Sequence, residues 1–171
     1  MYSKIKFLGH PIHPMLVAFP IAFYTATFVG YVLYAWLADP MWFRIGLVAN
    51  VAAVICALVT AVPGFLDWLI GIPSHSRAKN TGLIHLLLNV TALVLFAVAA
   101  FMLWGQWNSA TPDVGPAIVI TLVGVLATVA AGYFGYTLIQ NHHVGVELTP
   151  EQQRYEPADT TVTGGSAMRR A

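Results

Sequence analysis

The chain has 171 residues, of which 58% are hydrophobic and only 9% charged, with a mean hydropathy of +0.72 and a formal net charge of +1. A soluble domain carries roughly 25% charged residues, so a water-exposed globule is excluded and a bilayer is the expected solvent. Near-neutral charge without a basic stripe also excludes nucleic acid as a partner, because phosphates demand clustered Lys and Arg.

Four apolar runs, about residues 14–37, 42–72, 78–104 and 115–139, each reach the roughly 20 helical residues that cross about 30 Å of hydrocarbon. They predict an all-α integral membrane four-helix bundle over residues 1–146, with a polar tail, 147–171, expected to be disordered on the cytoplasmic side.

The first run opens with Gly9-His10-Pro11-Ile12-His13-Pro14. Each histidine precedes a proline and is biased away from helical backbone, so both are expected outside regular helix, with Pro14 at the first helical position and His13 capping the entrance. Pro20 is expected to kink the span and release the carbonyl of Leu16. The apolar run is too long for a signal-peptide core, so it is expected to remain as span one.

Span two carries a second expected interruption, Pro63-Gly64, at a depth comparable with Pro20. Cys56 alone can form neither an internal disulfide nor a multi-thiolate metal site. Asp67 lies about 8 Å from Ile72 along a helix, at the boundary of the hydrocarbon. A carboxylate there is costly unless paired or hydrated, which makes it a functional candidate, or else a hydrogen-bonded or Arg77-paired structural group.

The following loop supplies Ser74, Ser76, Arg77 and Lys79, hydroxyls and cations suited to an anion, and Asn80 or Thr81 is expected to cap span three. His85 and Asn89, four residues apart, share one helix face. In span four, Gly124, Thr128 and Gly132 form a small-residue strip expected to be a packing seam. Tyr133, Gly135 and Tyr136 lead to Asn141, His142 and His143.

All six histidines, His10, His13, His75, His85, His142 and His143, therefore fall at one end of the four spans. Lys4, Lys6, Arg77, Lys79, Arg154, Arg169 and Arg170 share that end and Arg44 lies at the other, so both termini and the histidines are expected to face the cytoplasm. Trp36, Trp42, Trp104 and Trp107 flank the outer turns, and Trp68 marks the inner interface.

The Gly9 to Pro20 opening, the Gly64-x-x-Asp67-Trp68 stretch, the His85-x-x-x-Asn89 pair and the closing Val144-Gly145-Val146 together resemble a bacterial four-span membrane family, domain of unknown function 2231. The likeness runs from about Ser3 to Val146. It implies a four-span architecture and no activity. The family's closing segment has one His followed by Gly; His142 matches that His, and His143 stands in the place of the Gly.

Two chemistries suit the histidine layer. A b-type haem needs two axial imidazoles, here His85 with His13 or His142, a gap opened by Gly132 and Gly135, and propionate partners among Ser74, Ser76, Arg77 and Lys79, with Asn89 beside the ligand. A bare Fe, Cu or Zn ion would instead draw on His10, His13, His85 and His142 with Asp67. No second histidine pair lies near the other face, so one chain cannot carry electrons across the full bilayer.

Motifs for hydrolysis or nucleotide binding are absent. The expectation is a small redox or metal-handling subunit of the bacterial cytoplasmic membrane, with a redox partner or as a homo-oligomer. The alternatives are a cofactor-free structural or partner-binding protein, whose imidazoles only cap helices, and an ion-passing oligomer using the broken helices.

Overall fold

The computed structural model describes residues 3–146 and 149–155. It opens with a feature the sequence did not announce. Strands β1 (Lys6–Phe7) and β2 (His10–Pro11) pair antiparallel, Lys6 opposite Pro11 and Phe7 opposite His10. Leu8 and Gly9 between them have φ of 48° and 82°, the two left-handed positions of a tight hairpin turn, which Gly9 adopts without steric cost.

Helix α1 (Ile12–Leu16) follows, then α2 (Ala18–Leu37), with Val17 between them. Pro20 offers no N–H to the carbonyl of Leu16, and the helix is interrupted at that level. His13 and Pro14 both lie inside the first turn of α1, which corrects the expectation that His13 stands outside regular helix. First-turn N–H groups have no intrahelical acceptor, so Pro14 costs nothing there.

Ala38 closes α2 in the left-handed region, its N–H on the Tyr34 carbonyl, and Asp39 caps α3 (Pro40–Leu66) by accepting from Met41 N–H at 2.9 Å. Helix α3 runs through Pro63 and Gly64 and passes into a π-helical turn, Asp67–Gly71. Ser76, rather than Asn80 or Thr81, caps α4 (Arg77–Trp104), accepting from Lys79 N–H at 3.1 Å. Helix α5 spans Gly115–Gln140. Within the tail, Pro150–Tyr155 forms a short helix, α6, with proline in its first turn; residues 147–148 and 156–171, where the end of the tail was expected to be disordered, lie outside the described part.

Four stretches, Ile12–Leu37, Pro40–Gly71, Arg77–Trp104 and Gly115–Gln140, are long and apolar enough to cross a membrane. Apart from the small hairpin, the chain is an all-α membrane bundle. Because lipid is as apolar as leucine, close packing and internal hydrogen bonds must hold such helices together.

Helix α2 packs along α3 and α4 along α5, and the two pairs meet far less extensively. Helices α2 and α3 approach closely where a Cβ on Gly30 would stand 2.8 Å from the Cα of Gly46. At the end holding the short turns, Tyr31, Phe43, Leu47, Ala99, Leu103, Val114 and Ala117 form a closed cluster. A second cluster of Tyr24, Ala53, Ala92 and Phe96 fills the middle, with Tyr24 stacked on Phe96 at 3.9 Å.

Buried Asn50 ties three helices at this level: with its amide turned to satisfy both ends, it donates to the Phe96 carbonyl and accepts from the Tyr31 hydroxyl and Ala100 N–H. Of the small-residue strip on α5, Gly124 seats the Phe96 ring, whereas a Cβ on Gly132 would meet nothing within 4 Å. The seam therefore closes at Gly124 and opens at Gly132. Beyond that point the two helix pairs separate.

Candidate functional site

The separation leaves a cavity of about 300 Å³ between the pairs, lined on one side by His13, Thr60 and Gly64 and on the other by His85, Asn89 and Ala131. It occupies the half of the bundle that carries the histidines. Its mouth includes Ser3, Pro11, Val144 and Gly145, and its deep end reaches Tyr24 and Thr128.

His13 and His85 face one another across this space, ring centroids 6.2 Å apart and planes perpendicular. Each ring has a niche made by a glycine. A Cβ on Gly64 would fall 2.6 Å from Nδ1 of His13, and one on Gly135 would fall 3.1 Å from Cε1 of His85. Each ring also bonds a backbone carbonyl of a neighbouring helix: His13 Nδ1 to Thr60 at 3.0 Å, His85 Nδ1 to Ala131 at 2.8 Å.

A carbonyl only accepts, so both rings must carry a proton on Nδ1, and when neutral they present a lone pair at Nε2. The Nε2 of His85 accepts from the amide of Asn89 at 3.2 Å. The Nε2 of His13 has no hydrogen-bond partner among the described residues. Two half-buried imidazoles with fixed tautomers and orientations are what a metal centre requires of its ligands.

The family model described as "Predicted membrane protein (DUF2231)" matches residues 9–148, a stretch that contains every one of the six histidines. The chain belongs to the DUF2231 family. No curated protein and no solved structure matches it.

The other residues singled out in the sequence are distributed differently over the DUF2231 fold. His142 sits apart from the facing pair, its Nε2 on the Thr81 hydroxyl at 3.3 Å. His10 is exposed and holds its own turn, Nδ1 on the Leu8 carbonyl at 3.0 Å. Asp67 accepts from the Ser3 hydroxyl at 2.6 Å, Lys4 N–H at 2.7 Å and Ile5 N–H at 3.1 Å. Its carboxylate fastens the N-terminal segment over the cavity mouth; Arg77 is not its partner.

Accordingly, no group of three or more His, Cys, Asp or Glu side chains is placed to hold a metal ion among the described residues. The five-residue metal set is not assembled in this geometry. Lys79 is also engaged elsewhere: its ammonium group donates to the carbonyls of Trp68, Leu69 and Ile72 and lies 4.2 Å from the centre of the Trp68 ring. Ser74 and Arg77 are exposed; the Arg77 carbonyl accepts from the Thr81 hydroxyl at 3.1 Å, while its guanidinium has no partner among the described residues.

Sequence reasoning missed the Thr60 and Ala131 carbonyls, the strap from Ser3 to Ile5 and the tyrosine at the deep end. Pro63-Gly64 was the available signal for the first. Nothing in the sequence marked Tyr24 as different from any other aromatic residue in a span.

Proposed function

We propose that this DUF2231 protein holds a b-type haem between His13 and His85, near the cytoplasmic face of a bacterial membrane, and serves there as a single-haem redox subunit. The observation that carries the reading is the ligand count: two oriented imidazoles across an apolar cavity, and no third ligand. Haem brings four nitrogens of its own and asks the protein for two, whereas a bare structural or catalytic ion asks for three or four. His13 and His85, their ring centroids 6.2 Å apart, are the two residues that would hold such a group.

The protein's part follows from its own groups. The Thr60 and Ala131 carbonyls hold the Nδ1 protons and make each Nε2 a better donor to iron. The apolar lining excludes water, and Arg77, exposed at the start of α4, offers a guanidinium that would meet a propionate, a role Lys79 cannot share while it caps the π turn. When bound, the haem would supply reversible one-electron transfer. Lys4, Lys6, Arg77 and Lys79 at the histidine end, against Arg44 at the other, support the cytoplasmic orientation.

The test is the visible spectrum of protein expressed with haem supplied and purified in mild detergent. A Soret band and a reduced α band are expected, lost in His13→Ala and in His85→Ala and kept in His10→Ala and His142→Ala. No chromophore, or one indifferent to both His13 and His85, would overturn the proposal. The cofactor-free alternative draws on the same two carbonyl bonds, which by themselves staple neighbouring helices; it predicts a colourless protein whose melting temperature falls in both variants.

A further inference from the structure

The cavity does not end inside the bundle. A shallow groove of about 180 Å³ lies between α2 and α5, and it shares Ile21, Tyr24, Thr128 and Gly132 with the cavity wall. On its outer side is Val129, 67% exposed on a helix that spans the membrane. The cavity therefore opens sideways toward hydrocarbon at the point where the α5 seam is undone, since Gly132 has open space where a side chain would be.

Tyr24 stands at the junction. It is only 3% exposed, and its hydroxyl is a buried polar atom with no hydrogen-bond partner among the described residues. The contrast with Tyr31 is direct, because that hydroxyl is matched with Asn50. Thr25 and Thr128, the other hydroxyls of the groove, already donate to the carbonyls of Ile21 and Gly124, each at 2.9 Å. Tyr24 is thus left as a donor at a depth where water is scarce, and an unmatched donor there is costly.

We infer that the groove between α2 and α5 is the lateral entry of an isoprenoid quinone, whose ring carbonyl accepts from the Tyr24 hydroxyl. The ligand must arrive through lipid, and it must carry an acceptor for the Tyr24 hydroxyl, as the ring carbonyl of a quinone does. The acyl chains of a phospholipid fail this test, because hydrocarbon offers the Tyr24 hydroxyl no acceptor. Binding at the groove stands on its own geometry; a role for the quinone as electron partner rests on the haem reading above.

The test uses the full chain in nanodiscs titrated with decylubiquinone, with bound quinone counted against empty nanodiscs. Saturable binding near one per chain is expected, about tenfold weaker in Tyr24→Phe, the loss of one buried hydrogen bond, and abolished in Val129→Trp, which covers the groove from outside. Without quinone, Tyr24→Phe should melt at the same temperature as the parent or higher, because it removes a group with no partner.

No binding above empty nanodiscs, equal affinity in Tyr24→Phe, or a lowered melting temperature of quinone-free Tyr24→Phe would each overturn the inference. Quinone binding by a protein that never takes up haem would leave this inference standing and remove the haem proposal. Haem uptake without quinone binding would do the reverse.

Discussion

The side chain of Asn89 grips His85 twice, its amide nitrogen 3.2 Å from Nε2 of the ring and 2.8 Å from the carbonyl one turn back on α4. The nitrogen that a haem iron would need is therefore already accepting a hydrogen bond, and Asn89 and the iron compete for one lone pair. Releasing it should favour the metal. Asn89→Ala is expected to bind haem several-fold to about tenfold more tightly than the parent, the span of one modest hydrogen bond. Haem titration followed at the Soret band checks this; weaker binding would mean that Asn89 orients the ring for its ligand.

The glycines behind the two rings give a graded prediction. A methyl on Gly64 would overlap His13 at 2.6 and 2.7 Å, so Gly64→Ala must push that imidazole off the Thr60 carbonyl. A methyl on Gly135 would meet His85 at 3.1 and 3.3 Å, a gap that a shift of a few tenths of an ångström relieves. Haem retention should fall steeply in Gly64→Ala and modestly in Gly135→Ala, with both proteins still monodisperse on size exclusion. Equal retention in both would show that His13 does not hold the iron.

Much of the architecture was legible because hydropathy and length alone specify membrane-crossing helices, and the four long helices are where the apolar runs lie. Gathering the histidines at one end followed from the same count. What the sequence did not reveal was which imidazoles meet. His13, His85 and His142 come from three spans at similar depth, and only the wide separation of the two helix pairs, with niches at Gly64 and Gly135, brings His13 against His85 and leaves His142 on Thr81. Asp67 and Lys79 were misleading for a common reason. Charge at a membrane boundary marks cost, and that cost is met here mainly by backbone groups, two N–H donors beside the Ser3 hydroxyl for the carboxylate and three carbonyls for the ammonium, and backbone groups carry no side-chain signature in a sequence.

Asp67 should behave as the fastener of the N-terminal strap. Replacing it with alanine strands the N–H groups of Lys4 and Ile5, a loss of roughly 2–4 kcal/mol if the strap remained in place, so local opening is the expected response. Asparagine keeps one acceptor oxygen for the two N–H groups, while its amide faces a Ser3 hydroxyl that already has the Ile5 carbonyl at 3.2 Å as another acceptor. Hydrogen exchange at Lys4 and Ile5 should be fast in Asp67→Ala, intermediate in Asp67→Asn and slow in the parent. Unchanged protection in Asp67→Ala would show that the strap is held by something else.

Lys79 separates a structural cation from a ligand-binding one. Its ammonium group sits on the last carbonyls of the π turn and over the Trp68 ring, while Trp68 Nε1–H returns a bond to the Lys79 carbonyl at 3.1 Å. Lys79→Met keeps the stem and removes the charge, leaving up to three carbonyls at the end of span two short of a donor and ending the cation–π contact. A destabilisation of about 1–3 kcal/mol is expected from the lost cap and ring contact together. Haem retention should be nearly unchanged at temperatures where the variant is folded. Arg77→Gln should do the opposite, weakening haem retention with little change in melting temperature, because that guanidinium is exposed and free of protein partners among the described residues. Thermal unfolding and haem loss measured on the same two variants decide between the roles: if Lys79→Met sheds haem yet melts like the parent, the ammonium serves the ligand and not the helix end.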